Sequence, residues 1–272
     1  MGHMHRLRLA LVLTAVAALL LLAGCGGGSE VVPDGPSSER ATLRPAGSVD
    51  NAPLGYVEYL PPGYGDGTPR PLLVFLHGTD ENGDGSEPAL GRLFKLGLPM
   101  LIENDDWPEG RPFVVLMPQY AHAAAQDCAL ADEVDSFLRF ALNHYDVDKD
   151  RVYLTGVSCG AIGAWQYLGA HVDEIVAGAV LISGQARDAL AQAHCALGRV
   201  PIWAFHGDAD SIVPKVNIVS PIAELKACTD PAPVDVRLTI YPGAEHDAWS
   251  RTYDLSAGHD IYDWLLGHHH PR

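Results

Sequence analysis

Five residues, Gly156-Val157-Ser158-Cys159-Gly160, stand between a strand-like run, Arg151-Val152-Tyr153-Leu154-Thr155, and a helix-like run from Ala161 to Ala170. A strand that passes directly into a helix must turn sharply. A serine at the apex of such a turn is held in a strained backbone conformation, with its hydroxyl clear of the sheet. The flanking glycines suit the turn because neighbouring backbone passes so close that a Cβ would collide. The helix that starts under the serine favours negative charge at its first amides. With 28 glycines in the chain, a bare Gly-x-Ser-x-Gly arises readily by chance. The weight therefore rests on its position between strand and helix.

Strand-like and helix-like runs alternate along the chain. Tyr56 to Leu60, Leu72 to Leu76, Phe113 to Met117, Val152 to Thr155, Ala179 to Ile182, Pro201 to Phe205 and Val236 to Tyr241 read as strands. Residues 132–145 place Val134, Phe137, Leu138, Ala141 and Leu142 on one stripe of an amphipathic helix. A shorter helix is expected from Pro221 to Cys228, and Ile261 to Leu266 closes the domain. This alternation predicts an α/β fold, a mostly parallel sheet with helices on both faces. Ligands then bind at the carboxyl ends of the strands.

The chemical candidates all fall just after predicted strands. A serine hydroxyl needs a base. His246, in the loop after the last strand, is selected by position from 13 histidines. Asp210, in His206-Gly207-Asp208-Ala209-Asp210, is the expected orienting acid, with Asp208 its rival. A buried carboxylate on the imidazole Nδ1–H fixes the tautomer and stabilises the imidazolium. The backbone N–H of Cys159, paired with that of Thr79 or Gly78 after the early strand, is the expected oxyanion hole. Trp249 and Trp203 are candidate pocket walls, although both also read as core. No histidine pair has a clean ligand spacing beside cysteine or carboxylate, and phosphate-loop and dinucleotide fingerprints are missing. No metal or cofactor is expected.

The ends carry different information. Arg6 and Arg8 precede an apolar run from Leu9 to Leu22, too short for a membrane span and suited to a signal peptide. Leu22-Ala23-Gly24-Cys25 then resembles a lipobox, so residues 1–25 are expected to be a lipoprotein signal with Cys25 lipidated. Export with a lipid anchor on a bacterial membrane, or secretion, follows. Residues 26–52, rich in Gly, Pro and Ser, read as a flexible linker, and residues 53–268 as the catalytic domain. Four cysteines remain: Cys128, Cys159, Cys195 and Cys228. In an exported protein they suggest disulfides, and four allow three pairings. Cys195 with Cys228 is favoured, since both could meet at one end of the sheet, with Cys128 and Cys159 the remainder. Cys159 reads equally as a small buried residue after the serine. A net charge of −16 without a basic patch disfavours nucleic acid as a partner.

Phe75-Leu76-His77-Gly78, Met117-Pro118-Gln119, the run from Asp150 to Gly160, the run from Pro201 to Asp210 and His246-Asp247-Ala248-Trp249 together resemble a known group. They look like an α/β-hydrolase of the extracellular esterase group that includes polyhydroxybutyrate-depolymerase-like and feruloyl-esterase-like proteins, with phospholipase/carboxylesterase relatives. The resemblance covers about residues 54–267 and implies Ser158, Asp210 and His246 as a catalytic triad. Relatives often carry Met or Ala, then Gly-Gly, after the serine, where this chain has Cys159-Gly160-Ala161. Too few residues separate Ile182 from Pro201 for a lid domain, which leaves the site open. The expected function is a serine esterase acting on small or polymer-attached esters. The same residues would serve a peptidase or amidase, and a non-catalytic ligand-binding lipoprotein is the reading from another class.

Overall fold

The computed structural model describes residues 40–121, 128–172 and 174–270. The expectations for residues 1–25, Cys25 included, lie outside the described residues, as does most of the segment read as linker. Among the described residues, eight strands form one sheet. They are β1 (Thr42–Arg44), β2 (Tyr56–Tyr59), β3 (Arg70–Leu76), β4 (Val114–Pro118), β5 (Val147–Val157), β6 (Gly178–Ile182), β7 (Ile202–Gly207) and β8 (Val236–Tyr241). The order is β1-β2-β4-β3-β5-β6-β7-β8. The first two pairings are antiparallel and the rest parallel.

The helices are α1 (Glu87–Leu90), α2 (Gly97–Glu103), α3 (Ala131–His144), α4 (Cys159–Ala170), α5 (Arg187–Ala193), α6 (Val216–Lys226), α7 (Trp249–Tyr253) and α8 (Ile261–Leu266). They cover both faces, and the strand sequences show why. Leu72, Val74 and Leu76 of β3 enter one core with α3, α4, α5 and α6. Leu73 and Phe75 point the other way, into a second core with α2, α7 and α8. The two-residue period of a strand thus supplies an apolar residue to each side. Burying each such side chain contributes about 1.5–3 kcal/mol.

The register aligns the strand ends that matter. Leu76 of β3 lies opposite Gly156 of β5, and Val157 opposite Ile182 of β6. Gly207 of β7 lies opposite Tyr241 of β8. Residues that follow these positions therefore emerge along one edge. The segment between β6 and β7 holds α5 and a 3-10 turn at His194–Arg199.

Two boundaries differ from the sequence reading. The sheet begins inside the segment read as linker. Leu43 of β1 pairs with Val57, Ala41 is buried, and Arg44 donates from Nη2 to the buried Glu58 Oε1 at 2.7 Å. A strand of three residues is too short to show alternation, so its Pro- and Gly-rich surroundings masked it. Helix α6 starts at Val216, with Pro221 inside it rather than at its start. Proline cannot bond the carbonyl four residues back. That carbonyl, on Asn217, accepts instead from the Ala186 amide at 3.2 Å.

Both expected disulfides form. Cys128–Cys159 and Cys195–Cys228 have Cα separations of 5.0 and 5.6 Å. The second ties the turn before β7 to the end of α6. Replacing both Cys195 and Cys228 by alanine is expected to cost about 2–4 kcal/mol of unfolding free energy, through the lost constraint on the unfolded chain. Urea denaturation of the oxidised protein and the double variant measures the difference.

Candidate active site

Ser158 leaves β5 at φ 51°, ψ −119° and heads directly into α4. This conformation is uncommon for a residue with a side chain, at a cost of order 1–3 kcal/mol. Its surroundings impose it. The Ser158 amide bonds Ile182 O at 2.9 Å, and its carbonyl accepts from the Ile162 amide at 3.0 Å. A Cβ on Gly160 would strike the Leu76 carbonyl, and one on Gly156 would lie 2.8 Å from the Gly160 carbonyl carbon. The glycines expected on sequence grounds therefore have identified neighbours.

The loop after β8 brings His246 to this serine. His246 Nε2 lies 2.8 Å from Ser158 Oγ, and Nδ1 lies 2.8 Å from Asp210 Oδ2. An ionised carboxylate only accepts, so Nδ1 carries the proton and Nε2 is left to accept from the serine hydroxyl. Asp210 has a fully buried side chain. Its Oδ1 accepts from the amides of Ile212 and Val213, each at 2.9 Å. His206 Nε2 also lies 3.3 Å from Asp210 Oδ2, but donates to Val213 O at 2.8 Å. Burial pushes the His206 imidazole below its ordinary value, which keeps it neutral. Of the two imidazoles at Asp210 Oδ2, His246 is the nearer, at 2.8 Å against 3.3 Å.

Asp208, the rival, has a separate place. Its Oδ1 accepts from the Gly243 amide at 2.6 Å and so pins the loop that carries His246. Ser183, which the sequence reading did not select, sits at φ 54° after β6 and donates from Oγ to His246 O at 2.7 Å. Nothing in its local sequence marks this contact across 63 positions.

The loop after β3 completes the front of the site. Gly78 lies close to the serine, since a Cβ on it would be 3.9 Å from Ser158 Cβ. Thr79 opens a 3-10 turn and Cys159 opens α4. First-turn amides have no acceptor within their own helix, which leaves both available. Gln119, after β4, holds this loop. Its Nε2 donates to Glu81 O at 2.9 Å and Ala89 O at 2.7 Å, and its Oε1 accepts from the Gly85 amide at 3.0 Å. Cys159 is also fixed from the side by its disulfide to Cys128.

Ser158 and His246 open onto a cleft of about 300 Å³, walled by Leu96, Val157, Ile212 and Trp249. Trp249 meets the His246 ring edge-on at 5.2 Å. Trp203 does not reach this cleft. It stacks on Phe205 at 5.0 Å, meets Trp264 at 5.5 Å and donates from Nε1 to Thr239 Oγ1 at 3.0 Å, as part of the core. Its strand face points toward α8 rather than the strand ends. A groove of similar size, about 310 Å³, lies beside Arg187, His194 and the Cys195–Cys228 disulfide. Elsewhere, Asp135, His171 and Glu174 gather ligand atoms within 4.8 Å of one another. Arg139 already pairs with both carboxylates there, at 2.7 and 3.0 Å.

A mostly parallel sheet, with a serine on the turn from β5 to α4 and an imidazole behind it, defines an α/β-hydrolase. The family model of the dienelactone hydrolase family matches residues 117–259, and the chain belongs to that family. A thermostable esterase superposes with a TM-score of 0.60 at 24% identity, over 79% of this chain and 59% of that protein. This chain thus spans less than two thirds of that protein's length. Esterase 2 of Thermogutta terrifontis, in a form phosphoramylated by tabun, gives 0.58 at 21% identity, over 87% of this chain and 98% of that one. Its propionate-bound form gives 0.57 at 20%, with the same coverage. At these identities the likeness shows the fold. No match was found among curated proteins.

The separate places of the two aspartates give an expected difference. Asp210→Asn removes the acceptor that fixes the His246 tautomer, and should slow reaction of Ser158 with a fluorophosphonate by about 10⁴-fold. Asp208→Asn leaves that acceptor in place and should change the rate by less than about tenfold. Time courses of labelling, followed by intact-protein mass spectrometry, measure both.

Proposed function

We propose that this protein is a serine hydrolase that cleaves carboxylic esters through an acyl-enzyme. The observation that carries the reading is one imidazole bonded on one side to a serine hydroxyl and on the other to a buried carboxylate. In this reading His246 Nε2 takes the Ser158 proton as Oγ attacks the ester carbonyl. The amides of Cys159 and Thr79 bind the oxyanion, and Gly78, whose peptide leads into Thr79, lets substrate approach. His246, now imidazolium beside Asp210, protonates the departing alcohol. Water then adds to the acyl-enzyme, with His246 again as base, and releases the acid. Membership in a hydrolase family supports the same reaction class. So does the likeness to esterase 2 of Thermogutta terrifontis, which is phosphoramylated by tabun.

The short α5 segment between β6 and β7 supports an open cleft suited to small esters or to side groups of a polymer. The same bridge of residues would also serve a peptidase or amidase, and matched ester and amide substrates separate the two. Wild-type protein is expected to hydrolyse 4-nitrophenyl butyrate, and Ser158→Ala to fall to the uncatalysed background. Turnover retained in Ser158→Ala would place the chemistry elsewhere.

Export with a lipid anchor at Cys25 belongs to the same proposal. It is supported by Arg6, Arg8, the apolar run to Leu22 and the sequence Leu22-Ala23-Gly24-Cys25. Two disulfides in the domain fit an oxidising compartment. When the full chain is expressed in a bacterium fed radiolabelled palmitate, label is expected in the protein and absent in Cys25→Ser. Equal labelling of both would remove Cys25 as the anchor.

A further inference from the structure

The lining of the Ser158 cleft carries an unbalanced charge. Asp80 and Glu81, consecutive on the turn after β3, both border it. Among the described residues, no lysine or arginine lines it. Asp80 is exposed at the rim, whereas Glu81 is only 2% exposed. A Cβ on Gly78 would lie 3.1 Å from Glu81 Oε2 and 3.9 Å from Ser158 Cβ, so the carboxyl and the serine flank the same glycine. Glu81 Oε2 has no hydrogen-bond partner. Burial first, and the charge of Asp80 next, push the Glu81 carboxyl above its ordinary range, while the backbone amides of Glu81 and Gly78 and the charge of Lys95 pull it the other way. A buried carboxylate with so few polar neighbours is costly, and a positive charge brought into the cleft offsets that cost.

We propose that this cleft, if it hydrolyses esters as argued above, selects substrates that carry a positive charge, a protonated amine or ammonium on the acyl or alcohol part. Asp80 at the rim attracts the cation, and Glu81 beneath supplies field through a low-dielectric wall. Trp249, in the same lining, adds the attraction of an indole for a cation. An ester with a carboxylate tail meets like charge at both positions. The net charge of −16 acts in the same sense at longer range.

Matched substrates test this with the folded, disulfide-bonded protein. Methyl 6-aminohexanoate, methyl heptanoate and monomethyl pimelate present a cation, a methyl group and an anion at the acyl end. Butyrylcholine and 3,3-dimethylbutyl butyrate do the same for cation and neutral group on the alcohol. In at least one set, kcat/KM is expected to favour the cation over its neutral partner by about tenfold or more, with the anion last. Glu81→Gln should remove most of the preference, whatever it does to absolute rates, and leave only the part due to Asp80. Asp80→Asn, at an exposed position, should reduce the preference in part, and added salt should do the same. Equal kcat/KM across both sets in wild type overturns the proposal, as does a preference that survives undiminished in both variants. Loss of rate on all substrates alike in Glu81→Gln also overturns it, because the carboxyl then only shapes the loop. If wild type turns over none of the esters, the hydrolase reading itself fails.

Discussion

Helix α4 meets the sheet through bare backbone. Gly160 lies against the Leu76 and His77 carbonyls, and Gly156 lies against Gly160 itself. With no side chain between them, the helix starts immediately at the end of β5. Ser158 must then make the whole turn alone, at positive φ. The conformational cost is borne by the packing of α4, whose Ala161, Ala164, Trp165 and Leu168 are buried in the core. A larger residue at position 156 or 160 would push the helix away, relax the turn and move the hydroxyl from His246. The position of the serine is thus a consequence of how closely two glycines let backbone approach.

Charge is organised around the same point. Asp210 is buried, yet its carboxylate is satisfied by two amides and one imidazole. Burial pushes the imidazole of its neighbour His206 below its ordinary value, which favours the neutral ring. Asp208 and Ser183 fix the loop backbone on either side, through Gly243 and His246. The imidazole is therefore oriented from its ring and from its main chain. Across the cleft, Glu81 is the opposite case, a buried carboxyl with one oxygen unsatisfied.

Much of this was readable before the fold. Each strand that bears on the site is an apolar run long enough to show, and Ser158, Asp210 and His246 each follow one of them. Sequence alone leaves Asp208 as a rival to Asp210, because two residues of the same chemistry follow β7 within one turn. Only the distance to the imidazole separates them. Ser183, Gln119 and Glu81 act through contacts made 30 or more positions away, or by lining a cleft, and local sequence does not encode either. Trp203 reads from sequence as pocket wall or as core because β7 offers two faces, and residue 203 turns to the aromatic core with Trp264. Strand β1 was missed because three residues carry too little pattern.

The central claim is that Ser158, His246 and the amides of Cys159 and Thr79 converge on one reacting atom. A crystal structure of the protein after reaction with an alkyl phosphonate fluoride tests it most directly. The account predicts phosphorus bonded to Ser158 Oγ, with the phosphonyl oxygen within about 3 Å of both amides and His246 Nε2 beside the leaving-group side. Phosphorus on another residue, or a phosphonyl oxygen turned away from both amides, would contradict it.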